Sequence, residues 1–116
     1  MKALSVKQPF ASLIASGRKT IETRNWSTSY RGDLLIVSSK TSCRDDPEKY
    51  PDELLGWALC VINLVDCRMM QRLDEEAAAC YVYAGAVAWV FENIRRIKPF
   101  PVRGKQGLFD VDEFVR

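Results

Sequence analysis

The chain has 116 residues, of which 47% are hydrophobic and 28% are charged, and these values are typical of one globular domain. The longest apolar run, residues 58–65, contains Asn63 and is much shorter than the ~20 residues of a bilayer-spanning helix, so we expect no membrane span. The sequence contains no histidine and no CxxC pair, which argues against the usual zinc sites and Ser-His or Cys-His nucleophiles. We therefore expect neither a metal nor a cofactor.

The cellular setting is predicted from the first residues and the cysteines. Lys7 interrupts the first apolar segment before it reaches the length of a secretory signal. A core of this size needs no covalent cross-links, and Cys60 lies inside a run that resembles a strand. We expect reduced thiols and a cytoplasmic protein. The four cysteines are Cys43, Cys60, Cys67 and Cys80.

Hydrophobic periodicity predicts six short strands and two short helices. The first helix has an apolar face at i, i+3 and i+4, and Gly17 ends it as the C′ residue. Residues 55–67 are apolar on both alternating faces, as expected of a central strand covered on both sides. Residues 41–53 predict an exposed loop, and Pro99 and Pro101 predict a second, basic loop. In chain order, we predict strand 3–6, a helix opening at Gln8-Pro9, strands 20–26, 33–39 and 55–67, helix 73–80, and strands 85–93 and 107–111.

These elements predict an α+β fold formed by residues 1–116 as a single domain. Too few helices alternate with the strands for a doubly wound sheet. The expected architecture is a small mixed β-barrel of five or six strands with one to three short flanking helices.

Charge is segregated along the chain although the net charge is only +2. Residues 1–40 hold seven basic and two acidic side chains, residues 41–92 hold four and ten, and residues 93–116 hold six and three. If the two basic ends meet in space, they form one positive surface suited to a phosphate-bearing ligand. Scattered, solvated charges are the alternative interpretation.

A dense group of charged and aromatic residues follows the first helix. Glu22, Arg24 and Trp26 share one face of a strand because they are spaced i, i+2 and i+4. Lys19, in the preceding turn, can reach the same face. Arginine binds phosphate, a carboxylate accepts N–H donors of a base, and indole stacks on bases. Salt bridges on a solvated strand face are the alternative. The full group is Lys19, Glu22, Arg24, Trp26 and Arg31.

Three segments of the sequence resemble the ASCH domain family. The segment Gly17-Arg18-Lys19-Thr20-Ile21-Glu22-Thr23-Arg24 matches all four fixed positions of the family signature G-x-K-x-x-E-x-R. Leu4-Ser5-Val6-Lys7-Gln8-Pro9-Phe10-Ala11 and Gly104-Lys105-Gln106-Gly107-Leu108-Phe109 are similar to the motifs that precede and follow it. The resemblance implies a PUA-like β-barrel whose signature faces a cleft that binds RNA or another nucleic acid.

Three further residues are predicted to line the cleft. By resemblance Gln8 lines it, although hydrogen bonding at the helix start is an equal alternative. Lys105 and Gln106 lie between two glycines, where a flexible loop can close on a ligand and the backbone can approach it closely. A plain turn is the competing interpretation.

The enzymatic alternatives depend on Lys19 and Glu22. The resemblance implies an amidohydrolase as one alternative, because some small stand-alone ASCH proteins remove the acetyl group from acetylcytidine. In those enzymes the signature lysine, Lys19 here, is the proposed nucleophile or base, and a threonine lies three residues later. This chain has Glu22 at the threonine position, and a carboxylate favours the charged ammonium, as in a binding cation. Glu22 acting as a general base, with Lys19 and Arg24 stabilising anionic charge, would instead give hydrolase or ribonuclease chemistry. We predict a module that binds RNA or a nucleotide, with an enzyme and a protein-interaction domain as alternatives.

Overall fold

The computed structural model describes residues 1–42 and 54–112. The elements, in chain order, are β1 (Lys2–Gln8), α1 (Phe10–Ala15), β2 (Ile21–Arg24), β3 (Gly32–Ser42), β4 (Trp57–Met69), a 3-10 helix (Arg72–Asp74), α2 (Glu75–Ala78), β5 (Val87–Pro101) and β6 (Leu108–Asp110). Most of the predicted loop 41–53, with Cys43, lies outside the described residues.

The six strands form one mixed sheet with the order β2-β5-β4-β3-β1-β6. Only β1 and β3 pair in parallel, and every other neighbouring pair is antiparallel. The α+β fold with six strands and short helices is therefore confirmed. Within the two described stretches no ladder joins the edge strands β2 and β6, so the sheet is open.

Both faces of the central strands are buried. In β4, Cys60, Ile62 and Leu64 pack into one core cluster, whereas Ala58 and Val61 belong to a second cluster. Successive residues of a strand point to opposite faces, and the register shift between Ala58 and Cys60 brings Ala58 to the face of Val61. The two clusters therefore lie on either side of the sheet. The prediction of a central strand covered on both sides is confirmed. α1 contributes Ala11, Ile14 and Ala15 to the first cluster.

The second half of the chain differs from prediction in two places. The predicted basic loop is wrong, because Phe100 and Pro101 pair with β4 as the end of β5. In the described chain, β2 pairs only with residues 87–90 of β5. The later residues of β5 therefore lie at an edge of the sheet, where a proline is tolerated because no neighbouring strand needs its missing N–H. The predicted helix 73–80 is also shorter, since a 3-10 helix ends at Asp74 and α2 continues only to Ala78.

No helix within residues 1–42 and 54–112 has the length and apolar character needed to cross a membrane. Cys60, Cys67 and Cys80 are free thiols. Burial raises the pKa of the Cys60 thiol to about 12, which fits its place in the core.

Candidate functional site

The end of α1 directs Lys19 into the protein. Gly17 has a φ of +83°, a left-handed conformation that glycine adopts without a Cβ clash. The Gly17 N–H bonds the Ile14 carbonyl and the Arg18 N–H bonds the Leu13 carbonyl, both at 3.0 Å, which is a Schellman motif. The Lys19 N–H also bonds Leu13 at 3.0 Å. The chain therefore reverses, and the Lys19 side chain is only 1% exposed.

The Lys19 ammonium contacts three different kinds of group. Nζ lies 3.5 Å from Oε1 of Glu22 and donates a hydrogen bond to the carbonyl of Ala78. That carbonyl is one of the last in α2, where no intrahelical donor is available. The Phe10 ring centroid lies 5.0 Å from Nζ, within the range of a cation–π interaction. The positive charge of Lys19 is thus compensated by a carboxylate, a carbonyl and the face of an aromatic ring.

Glu22 joins Lys19 to Arg24. Arg24 donates from Nε and Nη2 to Oε2 of Glu22, at 3.1 and 2.9 Å, while Oε1 accepts the Thr23 N–H at 3.1 Å. Nη2 of Arg24 also donates to the carbonyl of Ser5 at 2.6 Å, which ties β2 to β1. Both carboxylate oxygens are therefore occupied, and Glu22 orients the two cations on either side of it.

These three residues line a cleft of about 1080 Å³. The described residues of its wall carry six cationic side chains but only one carboxylate, that of Glu22. The cations come from β1, the signature segment, β3 and the segment before β6. They are Lys7, Lys19, Arg24, Lys40, Arg103 and Lys105.

The antiparallel pairing of β1 with β6 brings the two basic ends of the chain together. Leu4 pairs with Leu108, so residues 103–107 follow the continuation of β1 along the cleft. Gly104 packs so closely on Ser5 that an added Cβ would overlap the Ser5 hydroxyl. Within the described chain this buried Oγ has no hydrogen-bond partner. Lys105 and Gln106 are exposed beside this contact and line the cleft.

Trp26 also lines the cleft, although β2 ends before it. Its ring packs edge to face on Trp89, with centroids 4.7 Å apart and planes at 80°. The indole N–H of Trp89 donates to the Trp26 carbonyl at 3.0 Å, which fixes this segment against the core. Phe10 and Tyr83 are the other aromatic residues of the described wall.

Two predicted site residues lie elsewhere. Gln8 is fully buried at the start of α1, where Oε1 accepts the Ser12 N–H at 2.9 Å and Nε2 donates to the Leu54 carbonyl at 3.0 Å. Arg31 donates to the carbonyls of Thr28 and Tyr30 at 2.7 and 2.8 Å, outside the cleft wall. The structure therefore groups six of the eight predicted residues and leaves these two out.

Several residues of the wall were not predicted from the sequence. Lys7, Lys40 and Arg103 belong to the two basic ends, so the charge segregation was the signal that contained them. Tyr83 and Cys80 follow α2, and nothing in their local pattern indicates a place beside Lys19. Only the packing of α2 against β2 brings them there, since the Thr20 N–H bonds the Ala77 carbonyl at 2.9 Å.

Two carboxyl groups with lowered pKa values form ion pairs away from the cleft. Hydrogen bonds from Arg68 and from the Gln71 N–H lower the pKa of Asp74 to about 2. A hydrogen bond from Arg95 lowers the pKa of Asp33. Within the described ranges, no three His, Cys, Asp or Glu side chains are grouped as metal ligands.

Two proteins of related sequence align with nearly the whole of this chain. Activating signal cointegrator 1 of Homo sapiens is 26% identical over 130 residues, and the same protein of Mus musculus is 25% identical over 132 residues. Each alignment covers 97% of this chain but 22% of the relative, so the chain spans about a fifth of the length of these proteins.

Solved structures of ASCH from Zymomonas mobilis share the fold. One superposes with a TM-score of 0.67 at 15% identity, covering 97% of this chain and 87% of the other. A point mutant of the same protein gives 0.66 at 13% identity, covering 97% and 90%. The family model for the ASCH domain matches residues 4–101. Since that match includes the signature and most of the sheet, the chain belongs to the ASCH domain family.

Proposed function

We propose that the chain acts as a single ASCH domain that binds single-stranded RNA in the cationic cleft. The observation that carries this proposal is the charge of the wall, where six cations accompany one carboxylate that two of them already neutralise. Four cations make no ion pair with another described side chain and are available for phosphates. They are Lys7, Lys40, Arg103 and Lys105.

The cleft has room for a short strand. Its volume of about 1080 Å³ lies at the upper limit of the ~300–1,000 Å³ that is usual for pockets that enclose a drug-sized ligand. Its aromatic residues add stacking surfaces, because Trp26 is half-buried and Tyr83 is 49% exposed. The cysteines of the described residues, Cys60, Cys67 and Cys80, are free, which supports the further expectation of a reducing, cytoplasmic setting.

The contacts of Lys19 and Glu22 support binding more than catalysis. The Lys19 ammonium donates to Ala78 beside Glu22, while both oxygens of Glu22 accept other protein hydrogen bonds. An attacking amine needs a free lone pair directed at the substrate, and a general base needs an oxygen within reach of the proton it takes. Both residues therefore position Arg24 and shape the floor of the cleft in this proposal.

The test is a titration of the chain with fluorescently labelled single-stranded RNA over a series of salt concentrations. We expect log K to fall linearly with log salt, with a slope of about −0.7 for each phosphate contact. Lys105→Ala should lower the affinity and flatten the slope by about one contact. Lys98→Ala is the matched control, because Lys98 is exposed on β5 outside the cleft wall. No binding, or an affinity that salt leaves unchanged, would overturn the proposal.

The same sample tests the enzymatic alternatives. Release of cytidine from acetylcytidine that disappears in Lys19→Met would favour an amidohydrolase. Cleavage of the RNA probe that disappears in Glu22→Gln would favour a ribonuclease. We expect neither product from the unmodified chain.

A further inference from the structure

A second cleft of about 480 Å³ lies beside the first. It is formed where β4 ends and β5 begins, where Arg68 pairs with Ala88 and Met69 pairs with Val87. The turn at residues 83–86 closes one side, and Ser27 lies in the wall. None of the sequence motifs described above points to this cleft.

Tyr83 lines both clefts and connects them. Its carbonyl accepts the Ala86 N–H at 3.1 Å, and the carbonyl of Ala86 accepts the Met70 N–H at 3.0 Å. These bonds fix the backbone of Tyr83 to the end of β4, while the side chain remains in contact with solvent. The two clefts therefore share a wall residue whose side chain a ligand can reach.

The chemistry of the second cleft suits a flat, weakly polar group. Met69 is 80% exposed at its wall, so a ligand can reach its thioether. Arg68 donates two hydrogen bonds to Asp74, at 2.7 and 2.8 Å. Its charge is therefore compensated, and its guanidinium plane is held in one orientation. A guanidinium plane, a tyrosine ring and a thioether offer stacking surfaces to a base, whereas the phosphate-binding cations line the first cleft.

We infer that the second cleft holds a base of a single-stranded RNA whose neighbouring phosphates lie in the cationic cleft. The inference rests on the proposed function and deepens it, because it makes the ligand an oligonucleotide of at least two residues. The shared Tyr83, and the contrast between the cations of the first cleft and the compensated Arg68 of the second, favour RNA over a protein as occupant.

The test compares two tyrosines that lie two positions apart. Tyr83 lines both clefts, whereas Tyr81 is 85% exposed and lines neither. Affinities of Tyr83→Ala, Tyr83→Phe and Tyr81→Ala are measured for uridine monophosphate and for an octanucleotide of uridine. Loss of one stacked base should weaken octanucleotide binding about 5- to 100-fold in Tyr83→Ala. Tyr83→Phe keeps the ring and should bind like the unmodified chain, as should Tyr81→Ala.

A second substitution makes the test independent of the tyrosine. Met69→Ser changes an exposed side chain of the second cleft alone and should also weaken octanucleotide binding, while binding of the mononucleotide stays the same. Three results would overturn the inference and favour a protein as the occupant of the second cleft. They are equal affinities for the two probes, equal losses of affinity in Tyr81→Ala and Tyr83→Ala, and no loss of affinity in Tyr83→Ala. If neither probe binds the unmodified chain, the proposed function itself fails.

Discussion

The ammonium of Lys19 lies 3.5 Å from a carboxylate oxygen of Glu22, and the two side chains are 1% and 10% exposed. Glu22 holds Arg24 with its other oxygen. One carboxylate thus compensates two cations in the wall of the cleft. Removing either partner from a buried pair leaves the other charge without compensation, which costs more than the pair itself contributes.

This relationship predicts strong coupling between Lys19 and Glu22 in a double-mutant cycle. Glu22→Gln should lower the free energy of unfolding by about 3 kcal/mol, because it leaves the Lys19 ammonium buried beside a neutral group. Lys19→Met/Glu22→Gln should recover about 1–3 kcal/mol relative to the sum of the single effects. Urea denaturation followed by tryptophan fluorescence measures all four proteins. Additive effects within about 0.5 kcal/mol would show that the two side chains do not interact.

Much of the fold was predictable because its signals are local. The left-handed Gly17 ends α1 at the predicted place, and the apolar residues of β4 place it in the centre of the sheet. The length of β5 was not predictable from Pro99 and Pro101. Their tolerance depends on the short β2, which leaves one side of that part of β5 unpaired.

The candidate site was likewise predictable only where its residues are close in sequence. The signature residues Lys19, Glu22 and Arg24 are close in sequence, and the structure brings them together. Nothing in the sequence around Gln8 distinguishes a residue that lines the cleft from one that accepts the Ser12 N–H at the start of a helix. Tyr83 reaches the cleft through tertiary packing alone, and such contacts leave no periodic pattern.

The ion pair of Asp74 predicts a loss of stability in acid. The pKa of Asp74 is about 2 in the folded chain against an ordinary value of 3.8, so its contribution is complete well above pH 3.8 and is lost as the pH falls through about 2. We expect Asp74→Asn to lower the free energy of unfolding by about 1 kcal/mol near neutral pH, allowing for solvent around Arg68. Urea titrations at several pH values should show this difference shrink towards pH 2. A difference that stays constant over this pH range would contradict the assignment.

The conformation of Gly17 predicts a purely conformational cost of substitution. A Cβ at this position would meet no atom of the described residues within 4 Å, apart from its chain neighbours, so space is not limiting. Gly17→Ala should lower the free energy of unfolding by about 1 kcal/mol, because an L-residue disfavours a φ of +83°. Gly17→Asn should lower it less, since asparagine enters the left-handed region more readily. Thermal and urea denaturation compare the variants, and equal losses for alanine and asparagine would contradict this reason.

Gly104 predicts a steric cost that a second substitution should relieve. An added Cβ would overlap Oγ of Ser5 while lying 3.6 Å from the Ser5 Cβ, an ordinary contact distance. Gly104→Ala should therefore displace residues 103–107 from the cleft, lower the free energy of unfolding by about 1–3 kcal/mol and weaken RNA binding.

Ser5→Ala is the matched partner of that substitution. On its own it should leave stability unchanged or raise it by about 1 kcal/mol, because it removes a buried hydroxyl that has no partner in the described chain. In Ser5→Ala/Gly104→Ala the overlapping oxygen is gone, so both stability and RNA affinity should return close to those of Ser5→Ala. Urea denaturation and the RNA titration measure the two effects separately. A double variant as unstable as Gly104→Ala would show that the overlap with Ser5 is not the source of the cost. Ser5 is the only described residue, apart from the chain neighbours of Gly104, with an atom within 4 Å of the added Cβ.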